Sequence, residues 1–419
     1  MSREILKPLT RSAPAKVKDS GVIDLVKAGA AAYNAKSGEL LLLPVGLEAV
    51  RALIRRVERR LFDDFGIQPV NCGNDAAIFS LAERYTREWG DSAISYCDER
   101  GRELRLLSWR LSADSAAGEA AAALAAIVDE LGRVAGGGGE KFAAAEEILP
   151  GNIRSFSLLS LSDAGSIGAR PGFVCSDCGK VLLPDSPLGF FVKQPGEGEP
   201  EEELRDIETP GANTITELCS QLGIEAKRTL KAMLYVAEEN AGARRAVAAF
   251  VRGDFNVSMN KLERYIKSAC GLSGLRTAEK PELYELVGEV AGYCGPIGLP
   301  EDVIVVCDRS AIGAKNVIAG ANRPGYHRAG CCHGRDFCPP EADIAQCAPG
   351  ASCSCGGAFE PAALRESGTI TAGAAPSAER RLSYRDRDGN HEYPFEWGGA
   401  VSVERILLAA GLERTDHAM

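Results

Sequence analysis

The chain has 419 residues, 45% of them hydrophobic and 25% charged, the proportions of a globular protein of two or three domains. A formal net charge of −10 argues against a broad nucleic-acid-binding face and leaves room only for a local basic pocket. No apolar run approaches the ~20 residues that span a bilayer, and the N-terminus MSREILKPLTRSAPAKVKD lacks the apolar core of a signal peptide, so a cytoplasmic protein without membrane contact is expected.

Residues 1–20 are polar and are expected to be a flexible N-terminus. From Pro44 the apolar residues Leu47, Val50, Ile54, Val57, Leu61 and Phe65 recur at three- and four-residue steps and predict a helix. Its other side carries Arg51, Arg55, Arg56, Arg59 and Arg60, read as a solvated face. Residues 92–111 predict a hairpin turning around Asp98–Gly101, and an Ala-rich helix at about 115–134 runs into the glycines 136–139. That glycine run has no Lys followed by Ser or Thr and is not a phosphate loop. A strand pair is expected from Ile148 to Leu161, and the acidic, Pro-containing stretch 194–206 (QPGEGEPEEELRD) reads as a linker. Beyond it, Thr214 and Glu217 form a capping box ahead of ITELCSQL, which Gly223 ends. Strands are expected at Leu230–Val236, Arg245–Val251 and Val303–Asp308, with a helix at Asn260–Ala269. Past Cys355 come short strands and a last helix, Val403–Leu412.

Fourteen cysteines are many for a chain in a reducing compartment, where clustered thiols read as metal ligands rather than disulfides. Cys175 and Cys178 form a Cys-x-x-Cys pair, while Cys331, Cys332, Cys338, Cys347, Cys353 and Cys355 crowd a second stretch. The scattered Cys72, Cys97, Cys219, Cys270, Cys294 and Cys307 read as small core residues.

Two sets of motifs carry a family resemblance. TPGANTITELCSQLGIEAKRTLKAMLYVA, FVRGDFNVSMNKL, GYCGPIGLP, VIVVCDRS and IAGANRPGYHRAGCCHGRDF resemble, in order and spacing, the editing insertion of bacterial prolyl-tRNA synthetases, of the YbaK/ProX superfamily. On either side, KAGAAAYNAKSGELLLLPVGLEAVRALIRRVERRLFDDFGIQPV, FVCSDCGKVLLPDS and SYRDRDGNHEYPFEWGGAVSVERILLAAGLE resemble the class II catalytic domain of the same synthetases. The resemblance implies an α+β protein in which a class II synthetase-like antiparallel sheet domain (21–200 and 346–419) is interrupted by an inserted α+β editing domain (201–345). The family's anticodon-binding domain is not matched.

The departures decide the expected activity. Phe142-Ala143-Ala144-Ala145 stands at the best local match to the family's Phe-Arg-x-Glu, whose arginine grips ATP. The Thr-x-Glu and Gly-His-x-Phe elements are missing from SWRLSAD (108–114) and from GTITAGAAPSAER. Among the ATP contacts only Arg405 matches, as a vestigial nucleotide-binding residue or an ordinary surface arginine, so no ATP use is expected.

The editing residues match better. The resemblance assigns catalytic roles to Lys231, to Gly292 and Gly295 through their backbone, and to His327, with Pro296, Asp308 and Asn322 shaping the substrate pocket. The plain alternatives are a strand-edge lysine for Lys231, a turn-forming aspartate for Asp308 and a structural histidine for His327. In the superfamily the ester of a mischarged tRNA 3′ end is hydrolysed without a side-chain nucleophile, so Cys294 is read as packing. The implied function is trans-editing of mischarged tRNA, Ala-tRNAPro foremost; the competing reading is a non-catalytic synthetase-like regulatory or interaction protein. A homodimer through the synthetase-like part is implied as well. Because an insertion's entry and exit lie side by side, Cys175, Cys178, Cys353 and Cys355 are expected to meet as a structural Zn2+ site. The single residue between Cys353 and Cys355 leaves Cys347 or the Cys331/Cys332/Cys338 group as substitutes.

Overall fold

The computed structural model describes residues 17–70, 92–97, 103–110, 113–134, 142–149, 153–238, 244–282, 292–373, 384–385, 391–392, 395–402 and 405–406, less positions 18, 35, 37, 38, 165, 167, 168, 188 and 280. The expected turn at Asp98–Gly101, the glycines 136–139, residues 374–380, most of the N-terminus and most of the last helix lie outside these residues.

The helix expected from Pro44 runs Pro44–Phe65. Proline suits the first turn, where its missing N–H has no partner to lose, and Gly66 ends the helix with φ 66°, its N–H returning to Leu61 and Phe62. Val50, Leu53, Ile54, Val57 and Leu61 form the buried stripe. The arginine face is solvated and paired: Arg51 with Glu48 at 2.9 Å, Arg60 with Asp64 at 2.6 Å, and Arg56 with Glu130 of the neighbouring helix at 2.7 Å. That neighbour, Ala113–Val134, packs beside it on one face of a nine-stranded sheet.

The sheet is built around the 15-residue strand Phe359–Gly373. Its first half pairs with Ala169–Cys175, its second half with Ile153–Leu161 on one side and Phe395–Ser402 on the other, all antiparallel. Glu103–Arg110 and Ser92–Cys97 continue one edge, and Ala143–Leu149 closes the other. Two fully buried tryptophans anchor this layer: Trp397 Nε1 donates to Glu119 of the helix at 2.8 Å, and Trp109 Nε1 to Glu396 of the adjacent strand at 3.2 Å. The edge strand starts at Ala143, earlier than its expected start at Ile148, because the weakly strand-forming alanines 143–145 pair with Ser157–Leu159 of the next strand.

A second, five-stranded mixed sheet has the order Ser273–Thr277, Leu230–Glu238, Arg244–Arg252, Ile304–Asp308, Glu341–Ala342. Its middle strand is apolar from Ala246 to Val251, where both faces are covered. Val247, Ala249 and Val251 pack with Leu262 and Ile266 of the helix Met259–Cys270. Ala246, Ala248 and Phe250 face Cys307, Val317 and Ala319 on the other side. A three-stranded sheet, Arg205–Glu208, Tyr326–Cys331, Val317–Gly320, lies next to it.

The capping box forms as expected: Thr214 Oγ1 accepts from Glu217 N at 3.2 Å, Glu217 Oε2 accepts from Thr214 N at 2.9 Å, and Gly223 ends the helix at φ 67°. The acidic stretch 194–206 differs from the expected linker. Glu199 pairs with Arg228, Glu202 N donates to Asn316 Oδ1 at 2.8 Å, and Arg335 reaches the Glu202 carbonyl at 2.9 Å. Residues 205–208 are a strand. Its acids have basic partners on the second unit, so the stretch is docked there.

Candidate functional site

The loop 292–297 is pressed against the end of the strand Val317–Gly320. A Cβ on Gly295 would stand 1.8 Å from the Gly320 carbonyl oxygen, and one on Gly320 would stand 2.2 Å from that of Tyr293, so both positions exclude any side chain. Gly292 has φ +87° and lies against Asn213, just before the capped helix. Asn322, itself at φ 53°, clamps the loop from below. Its N–H donates to Tyr293 O at 2.9 Å, its Nδ2 to Ile297 O at 2.9 Å, and its Oδ1 accepts from Gly295 N at 2.7 Å. The side chain expected to touch substrate therefore holds the loop, and the Gly295 N–H expected to face substrate is taken by Asn322. Pro296 follows in the same loop, half-buried.

His327 sits directly behind this loop. It pairs across the sheet with Gly320, is 4% exposed, and its ring meets that of Tyr293 at 5.3 Å. Nδ1 lies 2.6 Å from Oγ1 of the fully buried Thr209. Burial lowers its pKa to about 4, so the ring is neutral at physiological pH. Cys294 is also buried, and that pushes its thiol up to about 12, which removes it as a nucleophile.

Lys231 stands at the start of the Leu230–Glu238 strand, two residues past Thr229, which bridges in parallel to Ile318. That bridge ties the lysine's strand to the strand beneath the glycine loop. Nζ donates to Asn256 Oδ1 at 2.9 Å, and burial lowers its pKa against the opposing pull of Asp254. Asp308 goes elsewhere. It is 3% exposed, Oδ1 accepts from Ser310 N at 2.7 Å, and Oδ2 accepts from Ile344 N and Ala345 N at 2.8 Å each. A carboxylate filled by three backbone donors shapes the chain turn, which is the plain reading of a strand-end aspartate. Arg405 Nη1 donates to the Glu366 carbonyl at 2.9 Å, bound to the central strand of the large sheet.

Sequence reasoning missed Thr209, which opens the first editing motif but lies outside its helix signal. A buried threonine carries no periodic mark that separates it from an ordinary pre-cap residue. Tyr293 lies in the glycine motif, and nothing in its spacing gives it a role.

The four cysteines do meet. The sulfurs of Cys175, Cys178, Cys353 and Cys355 all lie within 4.8 Å of one another, with Cys175 to Cys355 at 3.4 Å and Cys178 to Cys353 at 3.6 Å. Two tight turns present them, with Gly179 at φ 70° and Gly356 at φ 98°; a Cβ on Gly357 would stand 2.8 Å from the Cys175 sulfur. Backbone N–H groups of Cys178 and Cys355 hold the Cys175 and Cys353 thiols below their usual range, Cys353 at about 6. Cys347 and the Cys331/Cys332/Cys338 group are not part of this cluster.

Residues 209–330 match the family model described as the aminoacyl-tRNA editing domain. This stretch resembles an aminoacyl-tRNA editing domain. It is 31% identical over 263 residues to the proline–tRNA ligase of Aquifex aeolicus, covering 62% of this chain and 44% of the ligase. With the proline–tRNA ligase of Dehalococcoides mccartyi the identity is 34% over 272 residues, 61% of this chain and 45% of the ligase. The likeness therefore reaches beyond the editing domain, while the chain spans less than half the length of these relatives. A solved structure described as a putative trans-editing enzyme for prolyl tRNA synthetase is 23% identical, covers 34% of this chain and 86% of its own, and superposes with a TM-score of 0.28. No described helix is long and apolar enough to cross a membrane.

Proposed function

We propose that the chain hydrolyses the aminoacyl ester of mischarged tRNA, acting in trans, with Ala-tRNAPro as substrate. The observation that carries the reading is the glycine loop held against Gly320 and Asn322 beside a neutral, buried His327, within the editing-domain match. An aminoacyl ester is already activated, so its hydrolysis needs a positioned water and donors for the tetrahedral oxyanion. The missing Cβ at Gly295 lets the loop seat against Gly320, and that seating fixes the direction of its remaining N–H groups toward such a centre. Because the Gly295 N–H is taken by Asn322, the oxyanion falls to neighbouring amides of the loop. Lys231, a partly desolvated cation, holds the terminal phosphate or the substrate's polar atoms. His327 with Tyr293 bounds the amino-acid pocket. Asp308 is left out of the chemistry.

The cysteine cluster is read as a structural Zn2+ site at the junction of the two units. Four thiolates ~2.3 Å from a tetrahedral zinc stand ~3.8 Å apart, and the observed spacing fits that with little movement. The large sheet is read as a class II synthetase-like domain without amino-acid activation; proline-dependent ATP–pyrophosphate exchange would contradict this.

The net charge of −10 favours the second reading, a non-catalytic binding protein. Incubation of the purified chain with Ala-tRNAPro, Cys-tRNAPro and Pro-tRNAPro separates the two. Selective loss of the Ala ester supports editing, whereas hydrolysis of none of the three supports the second reading.

A further inference from the structure

We propose that Thr209 is a positioning residue that fixes His327 as its Nε2–H tautomer, so that the ring offers a hydrogen-bond donor to a neutral acceptor oxygen of the substrate. This rests on the editing reading for its substrate, an ester carbonyl or ribose oxygen, but not for the tautomer itself.

The Thr209 hydroxyl has one proton to place. Oγ1 has two partners, His327 Nδ1 at 2.6 Å and the Gly325 carbonyl at 3.5 Å. The second is at the outer limit of a hydrogen bond, and that carbonyl already accepts from Thr209 N at 2.8 Å. A contact of 2.6 Å is typical of a hydroxyl donor and short for a ring N–H. The hydroxyl therefore donates to Nδ1, which must be unprotonated to accept. A neutral imidazole carries one proton, so it resides on Nε2.

The rest of the pocket keeps this arrangement rigid. Thr209 is fully buried and cannot exchange its partner for water. Its backbone pairing to Gly325 and the strand register of His327 against Ile207 and Gly320 set both ends of the bond. Among the described residues Nε2 has no hydrogen-bond partner, which leaves its proton for an acceptor brought by a ligand. Such a ring cannot serve as a general base through Nε2. It selects substrates that place an acceptor there and orients them against the glycine loop.

The chain has only four histidines, so long-range 1H–15N correlation spectra of histidine-labelled protein resolve each ring. At pH 7 the wild type is expected to show a protonated Nε2 and a bare Nδ1 for His327, with Thr209→Ser unchanged. Thr209→Val keeps the shape but removes the hydroxyl, and should shift His327 to the Nδ1–H form or to a mixture. In parallel, Thr209→Val should slow ester hydrolysis ~10-fold or more while Thr209→Ser restores it. A wild-type ring protonated on Nδ1, or an unaltered ring in Thr209→Val, overturns the proposal. Should Thr209→Val fail to fold, the wild-type and Thr209→Ser spectra still decide the tautomer. A protein that hydrolyses no ester but shows the Nε2–H ring removes the editing reading and leaves this one standing.

Discussion

Replacing Asp308 by alanine separates a pocket aspartate from a structural one. In the structure its two oxygens accept from Ser310, Ile344 and Ala345 at 2.7, 2.8 and 2.8 Å in a setting that is 3% exposed. Alanine would orphan three buried N–H groups at ~1–3 kcal/mol each, for a total of ~3–9 kcal/mol. For a unit of this size, ~2–4 °C per kcal/mol translates that into a fall in Tm of ~6–35 °C. Asp308→Asn keeps one acceptor oxygen but turns an NH2 toward backbone donors, and should lose roughly half as much. Hydrogen exchange read by mass spectrometry is the suitable assay, because the tryptophans 109 and 397 are buried in the other sheet and report on the wrong unit. Peptides covering 309–312 and 343–346 should lose protection first in the alanine variant. A variant with unaltered Tm and exchange but no hydrolytic activity would refute the reasoning and return Asp308 to the pocket.

Protein purified without chelators should contain one zinc per chain, and Cys175→Ser/Cys178→Ser should lose it together with several degrees of thermal stability; a metal-free wild type with an equally stable variant would leave four reduced thiols. Gly295→Ala should abolish hydrolysis and expose the loop to protease, since its Cβ would stand 1.8 Å from the Gly320 oxygen; wild-type turnover in that variant would show that the loop is not held there. Burial lowers the His327 pKa from 6.5 to about 4, so the folded state disfavours the proton that the unfolded chain binds. Stability should therefore be full above pH 6.5 and fall by up to ~3 kcal/mol as pH drops to about 4, a dependence that His327→Gln should lose; an equal acid response in both would place the effect on other groups.

Local signals were legible in the sequence because neighbouring residues decide them. The Pro44 helix, the Thr214–Glu217 capping box and the apolar middle strand of the second sheet each follow from spacing, turn chemistry or burial on two faces. The meeting of Cys175 and Cys178 with Cys353 and Cys355 was legible from the logic of an insertion, despite some 175 intervening residues. What was not legible depended on side chains choosing among backbone partners. Nothing in the string says that Asp308 satisfies three amides or that Asn322 grips the loop it was expected to complement. The acidic stretch 194–206 misled for a related reason: its composition is that of a linker, and only the distant Arg228, Asn316 and Arg335 turn it into a docked segment.

The central claim is that Lys231 and the glycine loop form a hydrolytic site for an aminoacyl ester. Its most direct test is the rate of alanine release from Ala-tRNAPro by wild-type protein and by Lys231→Ala under single-turnover conditions. The account predicts measurable hydrolysis by the wild type and a loss of ~100-fold or more in the variant. Equal rates for the two proteins, or no hydrolysis by either, would contradict it.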